Sequence, residues 1–467
     1  MVFSSLVFLF LFLVIALLLY YAVPIKLKNF IILICGLVFY AWGEPKYVVV
    51  MVISTLIDYT AGLLIDKFND NKAVKKICLI VSLVMNLSLL AVFKYSGFFV
   101  ENVNNIFGPV LNNPNLPLPI GISFFTFQSM SYTIDMYLGN VKVQKNPIAF
   151  AAFVTLFPQI VAGPIVRYND IAAELECRKI NLDMIYDGIV RFITGMGKKV
   201  LIANGVGQLW NAAFAVGTSE MSALTAWLGI IGYTLQIYFD FSGYSDMAIG
   251  LGKMMGFNFP ENFNYPYLSK SVSEFWRRWH ITLGDWFKSY VYFPLGGNRK
   301  GMKRTIFNLA VVWFLTGVWH GASWNFILWG SLYGVFIIIE KLFLGNILKK
   351  LPSAISWLYT MLLVVLGWVL FVTPDISTAF SYMGAMFGAN GVFCDDTALY
   401  LLLNYGILLV VGIFASTDAW KIIVERLTKR IPTIMHYATP FVKTAVFVLC
   451  IAYLADATYN PFLYFNF

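Results

Sequence analysis

The chain has 467 residues, of which 59% are hydrophobic and 12% are charged, and its mean hydropathy is +0.74. This composition excludes an ordinary soluble globular protein and predicts an all-α polytopic membrane protein, whose length comes from many spanning segments. The net charge of +9 fits the cationic bias of cytoplasmic membrane faces, so we predict contact with membrane lipids and none with nucleic acid.

Apolar runs that could cross a membrane recur along the whole chain. The first, Leu6 to Val23, has no basic segment before it and no small-residue cleavage site after it, so we interpret it as a retained helix. The later runs are 30–43, 46–65, 77–99, 119–138, 200–215, 223–250, 354–373, 397–417 and 438–456. Together they predict about ten crossings within a single integral-membrane domain, 1–467.

Other stretches, 148–165, 268–292 and the pair 305–319 with 323–340, are expected to re-enter the membrane or lie at its interface. The Lys and Arg residues fall mainly on one side of the predicted crossings, which makes that side cytoplasmic and leaves both termini outside. The stretches 305–319 and 323–340 then form a hairpin whose tip, Trp319 to Trp324, lies within the membrane. Gly317, Gly321 and Ser323 would allow its turn and close packing.

Two of the three histidines have tryptophan neighbours in this region. The segment Thr305 to Ile339 around His320 carries no charge, and ionisable groups within a membrane usually face a cavity and mark a substrate or proton path. With an ordinary pKa of about 6.5, His320 is a candidate general base. The alternative is a neutral histidine that only bonds two helices together. Helical spacing predicts that Trp276, Trp279 and His280 share one stripe of an interfacial helix.

Further polar residues lie inside apolar segments. Asp240 and Asp246 would either orient a histidine or pair with Arg277 or Arg278, and the two readings stay open. Lys198 and Lys199 are expected to reach an interface by snorkelling. Five scattered cysteines imply no disulfide framework and no zinc site, and we predict no metal. The chain has no Walker A, HExxH or GxSxG motif, so ATP-driven transport, zinc proteolysis and an elbow-serine esterase lack support.

Several ordered motifs resemble those of the membrane-bound O-acyltransferase superfamily. They are Trp276-Arg277-Arg278-Trp279-His280, Pro294-Leu295-Gly296-Gly297-Asn298-Arg299 and Trp319-His320-Gly321-Ala322. Others resemble the alginate O-acetyltransferase branch, namely Phe239-Asp240-Phe241-Ser242-Gly243-Tyr244-Ser245-Asp246, Glu261-Asn262-Phe263-Asn264, Asn460-Pro461-Phe462-Leu463-Tyr464-Phe465, Phe39-Tyr40-Ala41-Trp42 and Ser54-Thr55-Leu56-Ile57-Asp58-Tyr59. The resemblance covers essentially the whole chain.

This resemblance implies a ring of about ten or eleven transmembrane helices, with re-entrant helices, around a central tunnel, and a catalytic core at about 230–340. His320 would be the essential histidine and His280 part of the same centre. The family moves an acyl group from a cytoplasmic donor to a hydroxyl outside. In the exopolysaccharide branch, acetyl-coenzyme A is the donor substrate, no cofactor is tightly bound, and an SGNH-hydrolase-type partner finishes the transfer. The expected place is the bacterial cytoplasmic membrane.

Roles for further residues follow from that chemistry. His320 would remove the hydroxyl proton, and the His280 imidazolium, the Trp319 indole or Asn325 would stabilise the thioester oxygen. We expect the donor to contact Arg277, Arg278, Trp279, Trp319 and Asn325. Within the wider basic cluster, which adds Lys288, Arg299, Lys300, Lys303 and Arg304, we favour the ordinary cytoplasmic bias for most members and phosphate binding for Arg277 and Arg278.

Two other functions stay open. One is D-alanyl transfer to teichoic acid by a related branch, whose donor is a carrier protein and not coenzyme A. The other is a lipid or polysaccharide transporter, which should keep its function in a His320→Ala variant. The last segment, 461–467, is expected on the outer side, either as an aromatic anchor or folded over the tunnel mouth.

Overall fold

The computed structural model describes residues 1–161, 163–456, 459–460 and 463. Within these residues the regular structure is helical, and the β pairing is one isolated antiparallel bridge between Phe263 and Trp279. The prediction of an all-α protein is confirmed. Apart from Leu463, the segment 461–467 and the predictions made for it lie outside the described residues.

The chain divides into two compact units. Unit 1 comprises Met1–Phe192 and Ser245–Glu261, and unit 2 comprises Ile193–Tyr244 and Asn262–Phe467. A compact unit need not fold by itself, so the single domain over 1–467 stays a prediction, as does the central tunnel.

Unit 1 combines long helices with several shorter ones. Its helices are α1 (Leu13–Ala22), which continues a π-helical turn at Phe8–Phe12, α2 (Ile25–Gly43), α3 (Val48–Lys67), α4 (Lys72–Phe107), α5 (Ile122–Leu138), α6 (Pro147–Val154), α7 (Tyr168–Glu176) and α8 (Leu182–Gly197), which ends in unit 2. Local sequence explains several boundaries. The Asn71 side chain accepts bonds from the first backbone N–H groups of α4, and Gly108, with φ 82°, ends that helix.

A cluster of buried polar residues in unit 1 is centred on Asp58. Asp58, which is fully buried in α3, accepts hydrogen bonds from the hydroxyls of Ser82 (2.5 Å) and Thr133 (2.8 Å) and from the Asn86 amide (3.0 Å). Burying a carboxylate is costly unless it is hydrogen-bonded. This cluster therefore joins α3, α4 and α5.

Unit 2 contains the remaining helices and all three histidines. They are α9 (Asn204–Phe214), α10 (Ala223–Met254), whose end belongs to unit 1, α11 (Val272–Arg278), α12 (Ile281–Phe287), α13 (Gly301–His320), α14 (Trp324–Ile339), α15 (Gly345–Leu348), α16 (Ser353–Val372), α17 (Ile376–Met386), α18 (Asp396–Ala415), α19 (Ala419–Arg430) and α20 (Pro432–Asp456). Shorter helical turns lie at Lys198–Ala203, Pro266–Leu268, Lys288–Tyr292 and Glu340–Leu344.

Seven helices within the described residues are long and apolar enough to cross a membrane. They are Ile25–Gly43, Val48–Lys67, Lys72–Phe107, Trp324–Leu348, Ser353–Val372, Asp396–Ala415 and Pro432–Asp456. The count is smaller than the ten predicted, because Phe8–Ala22 is short, α5 has only 17 residues, and α9 and α10 carry polar side chains. Helices covered by their neighbours need no uniformly apolar surface.

The predicted hairpin around His320 forms from α13 and α14. Its second arm, Trp324–Leu348, has 25 residues and is itself long enough to cross a membrane. The expectation that this arm re-enters at partial depth is therefore not supported by its length. The hairpin geometry matters for the functional site, because His320 is the last residue of the first arm.

Candidate active site

His280 lies in a two-residue linker between the short helices α11 and α12. Trp279 has extended backbone, and His280 has φ 47°, in the left-handed region that residues other than glycine seldom adopt. The helix therefore stops at Arg278, and the prediction of one continuous stripe of Trp276, Trp279 and His280 is wrong. Backbone of this kind persists only where its surroundings hold it in place.

The segment 262–264 holds this linker through its backbone. Phe263 and Trp279 form the antiparallel bridge, and the Ile281 N–H donates to the Asn262 carbonyl oxygen at 3.0 Å. These bonds are made on either side of His280. The left-handed conformation is thus stabilised by residues almost twenty positions earlier in the chain.

The Asn262 side chain reaches the imidazole itself. Its Oδ1 lies 3.2 Å from His280 Nδ1, and it accepts bonds from the backbone N–H of Thr282 (3.2 Å) and the Thr282 hydroxyl (2.9 Å). Asn262 is 1% exposed. The motif Glu261 to Asn264 predicted no role for Asn262, because a buried position beside a histidine cannot be predicted from local pattern.

The His280 ring is enclosed by aromatic side chains. It meets Phe241 edge-on, with 4.7 Å between ring centroids, and Trp319 at 6.1 Å. Burial lowers the pKa of His280 to about 3, so the ring is neutral at pH 7. This direction disfavours the imidazolium predicted for His280 and favours a neutral imidazole.

His320 is also surrounded by aromatic residues, at the end of α13. Its ring meets Trp319 (5.0 Å between centroids), Trp329 (4.9 Å) and Phe371 (5.4 Å), each close to edge-on. His320 is 4% exposed, and these neighbours are buried as well. The ring therefore lies inside the protein and not against lipid. Trp319 contacts both histidine rings, which brings the two predicted catalytic residues to one indole.

Glycines allow the two arms of the hairpin to approach closely. A Cβ on Gly317 would lie 2.5 Å from the Phe326 carbonyl oxygen, and one on Gly330 would lie 2.6 Å from the Gly317 Cα. At the tip, a Cβ on Gly321 would lie 2.2 Å from the Phe326 ring. The Ser323 hydroxyl caps α14. The predicted close packing at Gly317 and Gly321 is confirmed, and it places His320 at the contact of the two arms.

A cavity of about 490 Å³, here called the apolar cavity, is lined by His280. Most of its remaining wall is apolar or aromatic, with Trp276, Trp279, Leu283, Leu309, Val312, Trp313 and Ile337 among the lining residues. Pockets of this size and character are typical of small-molecule sites. We predicted the cavity at His320, whereas the apolar cavity is lined by His280, and His320 is not among its lining residues.

A second cavity of about 650 Å³, here called the cationic cavity, adjoins the first. The two share Ser273, Arg277, Tyr292, Leu309 and Ile337 in their walls. The cationic cavity is lined by four basic side chains, Lys270, Arg277, Lys341 and Lys349, and by two carboxylates, Glu274 and Glu340.

Both carboxylates of the cationic cavity are already engaged by protein groups. Glu340 accepts bonds from the backbone N–H groups of Val272 (2.7 Å) and Ser273 (2.8 Å), at the N-terminus of α11. Glu274 forms an ion pair with Arg278 at 2.8 Å. The four cations outnumber the two carboxylates, and Glu274 is paired with Arg278, so the wall has an excess of positive charge that suits an anionic ligand.

The two predicted phosphate-binding arginines differ in position. Arg277 lines both cavities, whereas Arg278 turns to Glu274 and to the Asn264 carbonyl oxygen (3.3 Å). Of the other predicted cluster members, Lys288 lines the apolar cavity, and Arg304 donates to the Leu295 carbonyl oxygen. The structure thus brings Arg277, Trp279, His280 and Lys288 together at the cavities.

The predicted orienting carboxylates have cationic partners. Asp240 forms a buried ion pair with Lys199 at 2.5 Å, and both side chains are at most 3% exposed. Asp246, in unit 1, pairs with Arg191 at 2.6 Å. The cationic partners found are thus Lys199 and Arg191 and not the predicted Arg277 or Arg278, and snorkelling is wrong for the buried Lys199. A role in orienting a histidine stays a prediction. Sequence reasoning missed both pairings because the partners lie far apart in the chain.

Asn325 joins two helices. Its side-chain amide donates to the Thr373 carbonyl oxygen at 2.9 Å, which fixes the start of α14 to the end of α16. This bond uses one of the two amide protons and gives the buried side chain a structural role beside the one predicted for it.

Comparison with known proteins supplies the family. Residues 138–385, more than half of the chain, match the family model described as MBOAT, membrane-bound O-acyltransferase family. The chain is 38% identical to a probable alginate O-acetylase of Azotobacter vinelandii, with 100% of each protein covered. It is 43% identical to that of Pseudomonas aeruginosa, over 83% of this chain and 75% of the relative. It is 35% identical to the peptidoglycan O-acetyltransferase of Helicobacter pylori, over 84% and 81%.

The matched region contains both histidine segments, both cavities and the glycine-packed hairpin. The relatives align over most or all of this chain, so the similarity is not confined to one motif. The chain is a multi-pass membrane protein and an O-acyltransferase, and it belongs to the membrane-bound O-acyltransferase family.

Proposed function

We propose that this enzyme takes an acetyl group from cytoplasmic acetyl-coenzyme A and passes it across the bacterial cytoplasmic membrane for O-acetylation of an extracellular polysaccharide. The named activities of the relatives, alginate and peptidoglycan O-acetylation, support acetyl as the group and a glycan as the acceptor. The observation that supports acetyl-coenzyme A as the donor is the pair of adjoining cavities, one cationic and one apolar.

The cavities match the two ends of acetyl-coenzyme A. Its phosphates carry several negative charges, and they would be bound by Lys270, Arg277, Lys341 and Lys349. The uncharged arm would pass Arg277 into the apolar cavity and bring the thioester towards His280. Because a dry, apolar wall excludes water, the thioester would be protected from hydrolysis.

The transfer itself forms one C–O bond and breaks one C–S bond. An alcohol is a poor nucleophile at neutral pH, and a neutral imidazole that removes its proton contributes about a hundred- to ten-thousandfold. His280 and His320 are the two imidazoles of the site, on either side of Trp319. The Trp319 indole is our candidate donor for the thioester oxygen.

An SGNH-hydrolase-type partner completes the proposal. It would receive the acetyl group outside the membrane and transfer it to the polymer. Support comes from the family resemblance of the exopolysaccharide branch. A partner encoded beside this chain that copurifies with it, and that becomes acetylated only in its presence, would establish this relay.

A reconstituted transfer assay tests the donor. The protein is placed in liposomes with acetyl-labelled coenzyme A on one side and alginate or peptidoglycan fragments, with the partner, on the other. We expect label in the glycan. In a parallel reaction, a D-alanyl-loaded carrier protein replaces acetyl-coenzyme A. Transfer from the carrier protein alone would favour the D-alanylation alternative and contradict the proposal.

A matched pair of variants locates the donor site. Lys341→Ala with Lys349→Ala should raise the KM for acetyl-coenzyme A, because both lysines line the cationic cavity. Lys421→Ala with Lys429→Ala, on the exposed helix α19, is the control. Equal KM values for the two double variants would exclude the cationic cavity as the phosphate site.

A further inference from the structure

We infer that Asn262 is a positioning residue that sets the tautomer of His280, with the proton on Nδ1 and Nε2 left as the proton acceptor. The inference starts from one side-chain atom, Asn262 Oδ1, which lies within 3.2 Å of two Thr282 groups and of His280 Nδ1. Its catalytic part rests on the proposed acetyl transfer, whereas the tautomer itself does not.

The chemistry of Thr282 identifies this atom as oxygen. The oxygen and nitrogen of an asparagine amide are often hard to distinguish by position alone. A backbone N–H can only donate, and the Thr282 N–H points at this atom from 3.2 Å. An NH₂ group at that position would place one hydrogen-bond donor against another, the Thr282 N–H. The amide is thus fixed with its oxygen towards His280.

The imidazole must then donate to that oxygen. A neutral imidazole carries one N–H, and an amide oxygen only accepts. With the proton on Nδ1, the 3.2 Å contact is a hydrogen bond; with the proton on Nε2, two lone pairs would face each other in a site that is 2% exposed. The hydrogen bond made by one ring nitrogen decides the protonation of the other. Nε2 is therefore the basic nitrogen of this ring.

Asn262 also restrains the backbone that carries the ring. Its carbonyl oxygen accepts from the Ile281 N–H at 3.0 Å, directly after the left-handed residue His280. On the other side the Phe241 ring meets the imidazole edge-on. The ring is thus held by its backbone, by Nδ1 and by its aromatic neighbours, which leaves it little freedom to rotate.

In the proposed reaction, His280 Nε2 accepts the proton of the acceptor hydroxyl as that oxygen bonds to the acyl carbon. The C–S bond then breaks, and the leaving thiolate takes the proton from Nε2–H, giving the ester and free coenzyme A. The family resemblance assigned the base to His320. The geometry around Asn262 gives His280 a defined acceptor nitrogen in a cavity-lining position.

Nuclear magnetic resonance of histidine labelled with ¹⁵N in the ring tests the tautomer directly. The chain has only three histidines, at 280, 320 and 436, so His320→Gln and His436→Gln variants assign the signals. We expect His280 to show a protonated Nδ1 and an unprotonated Nε2 in the unaltered protein. A proton on Nε2 would overturn the inference, whether or not the protein transfers acetyl groups.

Kinetics of three variants test the catalytic part. Asn262→Ala should lower kcat by at least about tenfold, with little change in the KM for acetyl-coenzyme A, because the acceptor nitrogen is no longer fixed. Asn262→Asp keeps an acceptor oxygen and should recover much of kcat. Its carboxylate should also raise the pKa of His280 and move the acid limb of the pH profile to higher pH.

Asn264→Ala is the matched control, since Asn264 is exposed and contacts Arg278 through its backbone. It should keep the kcat of the unaltered enzyme. Thermal unfolding of all three variants shows whether any loss comes from folding. The catalytic role is refuted if a folded Asn262→Ala variant keeps its kcat, or if the pH profile of Asn262→Asp does not move.

Discussion

The two histidine segments of this enzyme are built in opposite ways. His320 ends a regular helix of 20 residues, and its surroundings come from its own hairpin and from α16. His280 lies in left-handed backbone between two short helices, and its main polar partner is Asn262 in a separate segment. A histidine at the end of a helix can be located from hydropathy and glycine spacing. One in a linker is defined by contacts that are remote in sequence.

Replacing each histidine in turn tests this comparison most strongly. We expect His280→Ala and His320→Ala each to lower kcat by about a hundred- to ten-thousandfold, since an activated hydroxyl needs a positioned base. Acetyl transfer in liposomes is the measurement, with expression and thermal unfolding checked in parallel.

His436→Ala, in α20, serves as the control because that histidine lies in neither segment. If His320→Ala keeps transfer while His280→Ala loses it, His320 has only a structural role. Survival of function in His320→Ala is also what the transporter alternative predicts. If His280→Ala keeps transfer, the His280 segment has no catalytic role.

Breaking the Lys199–Asp240 ion pair should have the next largest effect, on stability. Asp240 precedes Phe241, whose ring packs on His280, and the lysine it pairs with is 3% exposed. Asp240→Ala removes the carboxylate that pairs with the buried Lys199 ammonium and should lower the free energy of unfolding by about 3–5 kcal/mol. Thermal unfolding in detergent measures this.

The double variant Lys199→Met with Asp240→Leu removes both charges and should recover most of that stability. A double variant that is as unstable as Asp240→Ala would show that the loss comes from packing around α10 and not from the broken ion pair.

On the His320 side, a smaller loss is expected from Gly317→Ala. The added Cβ would lie 2.5 Å from the Phe326 carbonyl oxygen and push the arms of the hairpin apart, at about 1–3 kcal/mol. Because His320 is three residues further along α13, acetyl transfer should fall as well.

Gly406→Ala, in α18, is the matched control. Its Cβ would meet only Leu402 at 3.7 Å, an ordinary contact, so the variant should be neutral or slightly stabilised by better helix propensity. A Gly317→Ala variant as stable and active as Gly406→Ala would mean that the hairpin tolerates separation and that His320 does not depend on it.

The smallest effect is expected from Arg277→Ala. This change removes one of four cations from the cationic cavity and should raise the KM for acetyl-coenzyme A about tenfold, with kcat nearly unchanged. Arg278→Ala should change KM less than about twofold, because Arg278 is paired with Glu274. Equal changes in KM for the two variants would contradict the conclusion that Arg277 faces the cationic cavity and Arg278 does not.

Local pattern predicted the class of the protein and much of the helix layout. Hydropathy indicated six of the seven helices suited to crossing a membrane as crossings, and it placed the seventh, Trp324–Leu348, in the hairpin around His320. Ordered motifs indicated the family. These features depend on residues close together in the chain, since helix formation and burial in lipid act on each segment separately.

Contacts between distant residues decided the rest. Nothing near Asp240 indicates that its partner is Lys199, and nothing near His280 indicates that Asn262 faces its Nδ1. Arg277 and Arg278 have nearly the same local sequence, yet only one lines the cavities. The class and the helices of this protein were thus determined by its sequence, because hydropathy and helix periodicity are local. Charge pairing, tautomer and cavity walls were decided by tertiary structure, because each needs two or more segments to meet.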